Sequence, residues 1–221
     1  MKVSYKFVFG DGSEHRIEVD LERAPPSGVA QPQWTQLAFR QCPNCPLKPE
    51  QQAHCPAAVD LAPTVQAFAH IISHHEAQVV VETPERVVGK ACQVQTALQS
   101  VAALIMATSA CPILGRMRGL AYTHLPFATL EESMFRVLGS YLLRQLLIHR
   151  NGGEPDWELE GLKAHYADLE ILNRAFKARI DAAAEQDAAI NAVSALGVLS
   201  MGIGFSIDDQ LPELARLAVT A

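Results

Sequence analysis

Four of the five cysteines in this 221-residue chain are followed directly by proline. They are Cys42, Cys45, Cys55 and Cys111. The first two form a Cys-x-x-Cys pair, in which the intervening residues turn the chain and let both sulfurs reach one metal or cluster. A third cysteine nearby and a fourth far downstream strengthen this signal. The spacing therefore predicts a four-thiolate metal site.

Two occupants compete for this site. Zinc often sits on a knuckle of Cys-Pro-x-Cys-Gly type, in which the glycine takes positive φ. Here that position is Pro46, whose ring holds φ near about −65°. Cys-Pro steps are familiar from ferredoxin-type clusters, and proline biases the preceding cysteine toward extended backbone. The prolines favour an iron–sulfur cluster, [4Fe-4S], with Zn2+ as the alternative.

The cysteines also have interpretations that need no metal. Free cysteines are often small buried hydrophobes, and Cys92, which precedes Gln93, is expected to be one. A cluster of free thiols is unusual in a cytosolic chain. A catalytic dithiol at Cys42 and Cys45 would begin a helix after a strand, and Pro46 fits that arrangement poorly.

A second set of candidate residues follows the last cysteine. Arg116, Arg118 and His124 lie in a glycine-containing segment that is expected to be a loop between two helices. The guanidinium groups of arginine and the positive N-terminal end of a helix both bind anions well. This segment is therefore predicted to hold a small anion near the metal. In the alternative interpretation, the arginines are solvated or pair with Glu131 and Glu132.

Three histidines need separate consideration. His54 could replace a cysteine as a ligand, but it directly precedes Cys55, and adjacent side chains point in different directions. It is therefore interpreted as an exposed loop histidine. His74 and His75 are adjacent as well, unlike the i, i+4 ligands of a metalloprotease helix. They are expected to lie near a helix C-terminus, where the helix dipole stabilises histidine side chains. This position accounts for them without a functional role.

Hydrophobic periodicity predicts the strands that position these residues. Two alternating apolar runs within residues 1–22 flank Asp11-Gly12 and predict a β-hairpin. Segments 78–83 and 86–92, joined through Pro84-Glu85, predict a second hairpin. The two hairpins are expected to pair into one antiparallel sheet with helices on one face.

Helical periodicity accounts for much of the remainder. Helices are predicted over 34–39, 63–73, 94–106, 159–180, 184–200 and 210–218. Thr129 to Glu132 forms a capping box that opens another long helix, and Asn151-Gly152-Gly153 ends it. The buried stripe of that helix is predicted to contain Met134, Val137, Leu138, Tyr141, Leu142 and Leu146.

Length and composition limit the class of protein. The chain fits one domain, with the hairpin at 1–22, a cysteine-site region at 34–128 and a helical region at 129–221. The expected fold is α+β, with a small antiparallel sheet packed on a mainly helical C-terminal half. A net charge of −6 argues against a nucleic-acid partner. No signal peptide or membrane-spanning stretch is found, so a cytoplasmic protein is expected.

The cysteine motifs also carry a resemblance. The runs Cys-Pro-Asn-Cys-Pro-Leu, Ala-Thr-Ser-Ala-Cys-Pro and His-Leu-Pro-Phe-Ala-Thr-Leu-Glu-Glu-Ser resemble those of an uncharacterised bacterial family, one of the domains of unknown function. The resemblance covers about Pro32 to Ala195. It implies no activity, but it implies that the four Cys-Pro cysteines and the segment holding His124 belong to one shared site.

Three classes of function are consistent with these observations. The first is a cluster-binding protein for electron transfer or redox sensing, with a redox partner. The second is an enzyme that uses the cluster and the Arg116, Arg118 and His124 segment on a small anion. The third is a structural zinc protein that acts as an interaction module, with the apolar C-terminal helices forming a homo-oligomer.

Overall fold

The computed structural model of the protein describes residues 1–24, 30–182, 190, 191 and 193. Four strands form one antiparallel sheet in the order β2-β1-β3-β4. They are β1 (Lys2–Phe9), β2 (Glu14–Asp20), β3 (Glu76–Glu82) and β4 (Val87–Gln93). Both predicted hairpins, their pairing into one sheet and the α+β class are confirmed.

Strand β1 is the centre of the sheet because it pairs with both β2 and β3. Tyr5, for example, lies opposite Ile17 on one side and Val81 on the other. Alternate side chains point to the helical side, as the pleat of a strand requires. The buried ones include Val3, Tyr5, Phe7, Val79 and Val81, and they form the sheet half of the core.

Within residues 1–24 and 30–182, five α-helices surround this face or follow it along the chain. They are α1 (Pro56–Ala67), α2 (Val94–Ala107), α3 (Arg118–Ala121), α4 (Leu130–Arg150) and α5 (Glu160–Asp181). The predicted helices at 94–106, after Thr129 and at 159–180 are confirmed. Of the helix predicted over 184–200, the described residues 190, 191 and 193 are helical, and its other residues and the whole of 210–218 lie outside the described residues. In the described ranges, none of the helices has the length and apolarity needed to cross a membrane.

Two short segments differ from their predictions. The segment predicted as a helix over 34–39 contains only a 3-10 helix, Gln33–Thr35. The segment predicted as a loop before His124 contains a second 3-10 helix, Leu114–Met117, which leads directly into α3.

The predicted start of α1 at Pro63 was wrong. The helix begins at Pro56, with Cys55 as its N-cap, and Pro63 lies inside it. Proline suits the first position of a helix because its φ is already helical and its missing N–H would have had no helical partner there. The Cys55-Pro56 step therefore starts the helix, which places a predicted metal ligand at its N-terminus.

Helix α4 begins and ends as the sequence predicts. The backbone N–H of Glu132 donates to Thr129 Oγ1 at 3.2 Å, and the N–H of Thr129 donates to the Glu132 carboxylate at 2.8 Å. The helix ends at Arg150, and Gly152 takes a positive φ of 79° just beyond it. Glycine is suited to this conformation because it has no Cβ.

The predicted buried stripe of α4 is correct only in its first half. Met134, Val137 and Leu138 are buried, but Leu142 and Leu146 are exposed. Gln145 is buried instead, and its Oε1 accepts a hydrogen bond from Asp156 N at 2.9 Å. The second half of the helix therefore packs through a polar contact with the connection to α5.

That connection fixes the start of α5. The carboxylate of Asp156 accepts hydrogen bonds from the N–H of Gly161 at 2.7 Å and from the Tyr141 hydroxyl at 2.7 Å. A Cβ on Gly161 would lie 2.6 Å from the Tyr141 hydroxyl oxygen, so the close approach requires glycine. This contact sets the position of α5, whose buried face contacts the cysteine loops.

We expect Thr129→Ala to lower the free energy of unfolding by about 1 kcal/mol, because it removes one half of the capping box. Urea denaturation followed by circular dichroism measures the change. Ser140→Ala, an exposed change inside the same helix, serves as the control and should not destabilise the protein. A Thr129→Ala protein as stable as wild type would show that the capping box contributes nothing.

Candidate metal centre

Cys42 and Cys45 lie at the two ends of a turn that packs against α5. The N–H of Cys45 donates to Cys42 O at 3.0 Å. The side-chain amide of Asn44, inside the turn, donates to the backbone oxygen of Asp168 at 3.0 Å, and Cys42 Sγ lies 4.0 Å from Leu172 O. Both cysteines are half-buried. The turn is therefore held on the helix by the polar contact of Asn44, which lies between the two cysteines.

Cys55 is held at the start of α1. Its N–H donates to Thr35 O at 2.8 Å, which ties it to the first 3-10 helix. Burial raises the pKa of the Cys55 thiol, and the backbone N–H groups of Ala58 and Ala57 act in the opposite direction because they can donate to its sulfur. The first turn of α1 thus provides hydrogen-bond donors for a thiolate.

Cys111 has a similar setting four residues after the end of α2. It is buried, and its N–H donates to Ser109 Oγ at 3.3 Å. Burial raises its pKa, whereas the N–H groups of Leu114 and Ile113 lower it by hydrogen bonding to the sulfur. Two of the four predicted ligands are therefore buried sulfurs that face backbone amides.

The four Cys-Pro cysteines lie in one electrostatic environment. The pKa of Cys42 is raised to about 12, first by burial and then by the negative charges that Cys55, Cys45 and Cys111 would carry. Cys92 lies elsewhere: it is buried on β4, where Lys90 and Glu76 are the charges that act on it. Cys42 therefore lies near enough to the other three Cys-Pro cysteines for their charges to raise its pKa, whereas Cys92 is not among the groups that act on it.

Arg179 of α5 lies beside these cysteines. It is only 1% exposed, and burial lowers its pKa, whereas Cys55, Cys42 and Cys45 raise it. Its Nη1 donates to Trp34 O at 2.6 Å and to Gln36 O at 2.7 Å, and its Nη2 donates to Leu37 O at 3.3 Å. A buried cation therefore joins the segment before the cysteine loop to α5.

Arg179 was not among the residues predicted from the sequence. The available signal was its place on the helix, because it follows the buried Phe176 by three residues and the buried Leu172 by seven. An arginine on an apolar helical stripe requires a partner, since burying an unpaired charge is costly. That pattern indicates a functional or structural role for this residue.

The chemistry of these residues fits an iron–sulfur cluster. A cubane held by four thiolates carries net negative charge, which a buried arginine and amide donors to the sulfurs would stabilise. Its cysteines bind separate irons, whereas a zinc ion needs all its sulfurs at about 2.3 Å from one atom. Within the described part of the chain, no group of three or more His, Cys, Asp or Glu side chains lies close enough together to hold a metal ion.

His165 is a further residue that the sequence patterns did not reveal. It is 6% exposed, and neither ring nitrogen has a hydrogen-bond partner among the described residues. Its pKa is lowered to about 4 by burial and by Arg116, while Asp168 acts in the opposite direction. Like Arg179, it is a polar residue on the buried stripe of α5, three residues after Leu162.

The two predicted anion-binding arginines have protein partners. Arg116 Nη1 lies 3.5 Å from the carboxylate of Asp168 on α5. Arg118 Nη2 donates to Thr108 O at 3.0 Å and to Ser109 O at 3.2 Å. Arg118 thereby fixes the turn that leads from α2 to Cys111, and neither arginine pairs with Glu131 or Glu132 in these contacts.

The histidines considered from the sequence lie at different places. His54 is half-buried, and its Nδ1 is 2.9 Å from Thr35 Oγ1. The Nε2 atom of His124 lies 2.5 Å from the hydroxyl oxygen of Tyr5. His124 and Arg136 both line a separate cavity. His74 and His75 are exposed, and α1 ends at Ala67, so the predicted interaction with a helix C-terminus is wrong.

Comparison with known proteins places the chain in one family. A family model described as Domain of unknown function (DUF6901) matches residues 3–218, which confirms the expected resemblance to such a domain. No curated protein matches the chain. No solved structure matches it either.

We expect Arg179→Met to lower the free energy of unfolding by more than about 2 kcal/mol, because three backbone carbonyl oxygens, of Trp34, Gln36 and Leu37, lose their charged donor. Urea unfolding of reduced, metal-free protein measures this change. Arg174→Met on the same helix is the matched control, since Arg174 is exposed and pairs only with Glu170 at the surface. Its effect should stay within about 0.5 kcal/mol. Equal stabilities of the two variants would contradict this role for Arg179.

Stability should fall as the pH drops from about 6.5 to 4, in part through His124. Burial, followed by the charge of Arg136, lowers the pKa of His124 to about 4. The unfolded chain therefore takes up a proton in this range that the folded chain does not, which costs up to roughly 3 kcal/mol at pH 4. We expect His124→Gln to flatten the pH dependence of urea unfolding. Exposed His149→Gln should leave it unchanged, and identical slopes for both variants would refute the assignment.

Proposed function

We propose that this chain, which belongs to the family described as Domain of unknown function (DUF6901), binds a [4Fe-4S] cluster for electron transfer or redox sensing. The ligands are Cys42, Cys45, Cys55 and Cys111. The observation that carries this proposal is the mutual electrostatic effect of four cysteines from three separate chain segments, next to a buried arginine. In a reducing cytoplasm, where we place the protein, such thiols do not form stable disulfides.

The balance of charge supports an anionic occupant. With their thiols protonated, the cysteines are neutral, and no described carboxylate forms an ion pair with Arg179. A metal cluster would replace the thiol protons. Its positive metal ions would then offset the cost of placing negative charge on buried, neighbouring sulfurs, which is the cost that raises the pKa of Cys42. The resulting net negative charge faces the Arg179 cation. Loaded protein therefore places negative charge beside a buried cation that has no counter-ion among the described residues of the metal-free protein.

The backbone around the pair Cys42 and Cys45 favours the cluster over a zinc knuckle. Positive φ in this segment occurs at Arg40, before the first cysteine, with a value of 47°. A knuckle needs this conformation directly after the second cysteine, where Pro46 stands. The turn also contains a backbone hydrogen bond from Cys45 to Cys42, so the two sulfurs project from a stiff base.

The exposure of the site supports a redox role. Cys55 and Cys111 are buried, whereas Cys42 and Cys45 are half-buried beside the exposed prolines 43 and 46. One edge of the cluster would therefore lie near the surface, within reach of a redox partner. The amides at Cys55 and Cys111 would tune the reduction potential, because hydrogen bonds to cluster sulfurs stabilise the reduced state.

Protein purified without oxygen is expected to carry iron and acid-labile sulfide in equal amounts and to change its visible absorption reversibly on reduction. Cys111→Ser should lower the bound iron by at least half, because it removes one of four ligands. Cys92→Ser is the matched control, a buried cysteine outside the site, and its iron content should equal that of wild type.

Two results would contradict the proposal. Stoichiometric zinc without iron, in protein kept free of oxygen throughout, would indicate the structural zinc alternative. Iron content that is unchanged in Cys111→Ser would remove Cys111 from the ligand set and with it the four-cysteine site.

A further inference from the structure

A cavity of about 230 Å³ lies between α2, the segment 114–128, α4 and α5. Most of the described residues that line it are apolar, among them Ala103, Leu104, Leu120, Leu125, Val137 and Leu169. The cysteines are not among its lining residues. The cavity is thus a separate site, and its binding chemistry requires no metal.

One part of the cavity wall is a fixed polar cluster. The Tyr5 hydroxyl lies 2.9 Å from Ser100 Oγ and 2.5 Å from His124 Nε2. Ser100 Oγ also accepts a hydrogen bond from the N–H of Phe127 at 3.2 Å. These bonds run from the central strand of the sheet to the segment before α4, so they hold His124 in place at the cavity. The imidazole is neutral near pH 7 because burial lowers its pKa to about 4.

Arg136 is the charged group of this wall. Its Nη2 donates to Leu120 O at 2.9 Å and to Thr123 O at 2.7 Å, which fixes the plane of the guanidinium. Its Nε and Nη1 have no hydrogen-bond partner among the described residues. No carboxylate of those residues pairs with it directly, and Glu132 acts on it only through longer-range attraction. A half-buried arginine with free donors is therefore held at an apolar cavity.

We infer that this cavity binds a small monocarboxylate with an aliphatic chain of about eight carbons. The carboxylate would accept hydrogen bonds from the free edge of Arg136, where a planar fork matches its two oxygens. The chain would occupy the apolar part of the cavity. The volume of about 230 Å³ is many times the roughly 10–15 Å³ that one water requires, so the cavity is large enough for such a chain.

Other ligand classes fit the walls less well. An amine would be repelled by Arg136, and a neutral alcohol would leave its donors without a charged partner. A compact polar anion such as phosphate would leave the apolar walls unused, although burial of methylene groups there would strengthen binding. Only a ligand with one anionic end and an apolar body uses both parts of the site.

The test compares octanoate with 1-octanol and octylamine on the full-length protein, by ligand-observed NMR and calorimetry. We expect octanoate to bind at least about tenfold more tightly than 1-octanol, because a charged hydrogen bond contributes about 1.5 kcal/mol or more. Octylamine should bind more weakly than either. Butyrate should bind more weakly than octanoate, since it loses four methylene contacts.

Two variants and one control locate the site. Arg136→Gln should remove the advantage of octanoate over 1-octanol, and Ala103→Phe should abolish binding of both by filling the cavity. Arg144→Gln, an exposed arginine on α4 outside the cavity lining, should bind octanoate as wild type does. Circular dichroism of each variant checks that the fold is retained.

The inference is overturned if octanoate does not bind, or if it binds no more tightly than 1-octanol. Octanoate affinity that is equal in wild type, Arg136→Gln and Ala103→Phe would also overturn it, because binding would then occur elsewhere. Loss of iron from the cysteine site in Cys111→Ser should leave octanoate binding intact, which separates a failure of this inference from a failure of the cluster proposal.

Discussion

The interaction on which the cysteine site depends is the set of hydrogen bonds from Arg179 to the carbonyl oxygens of Trp34, Gln36 and Leu37. Backbone carbonyls are neutral, so they accept hydrogen bonds from the guanidinium without neutralising its charge. The remaining charge acts on Cys55, Cys42 and Cys45. One buried side chain therefore both fixes the segment before the cysteine loop on α5 and places a positive charge near three of the cysteines.

Helix α5 connects this site to the apolar cavity. Arg179 and the backbone of Leu172 face the cysteines, whereas Leu169 lines the cavity. Leu114 joins the two sites in a similar way, because its N–H faces the sulfur of Cys111 and its side chain lines the cavity. The two proposed sites thus share the same structural supports, although each would bind a chemically different ligand.

Much of the fold could be predicted from local patterns. The alternation in both hairpins, the capping box at Thr129 and the glycines after α4 depend on neighbours in sequence, and each was predicted correctly. One error was local, because Pro56 rather than Pro63 begins α1. Other errors came where tertiary contacts decide. Leu142 and Leu146 fit the apolar period of the helix but are exposed. Gln145 is buried between them in sequence, where its side-chain oxygen accepts a hydrogen bond from the N–H of Asp156. The apolar stripe of α5 indicates that Arg179 and His165 are buried. The partners of Arg179 could not be predicted locally, because they come from a distant segment of the chain.

The central claim is that four cysteines from three segments hold one four-iron cluster. Mössbauer spectroscopy of protein loaded with isotopically enriched iron, kept free of oxygen, tests it most directly, because the spectrum reports both the nuclearity and the ligands of the iron. The predicted result for wild type is the signal of a cubane with four thiolate ligands. A spectrum of isolated iron sites, or no protein-bound iron at all, would contradict the claim.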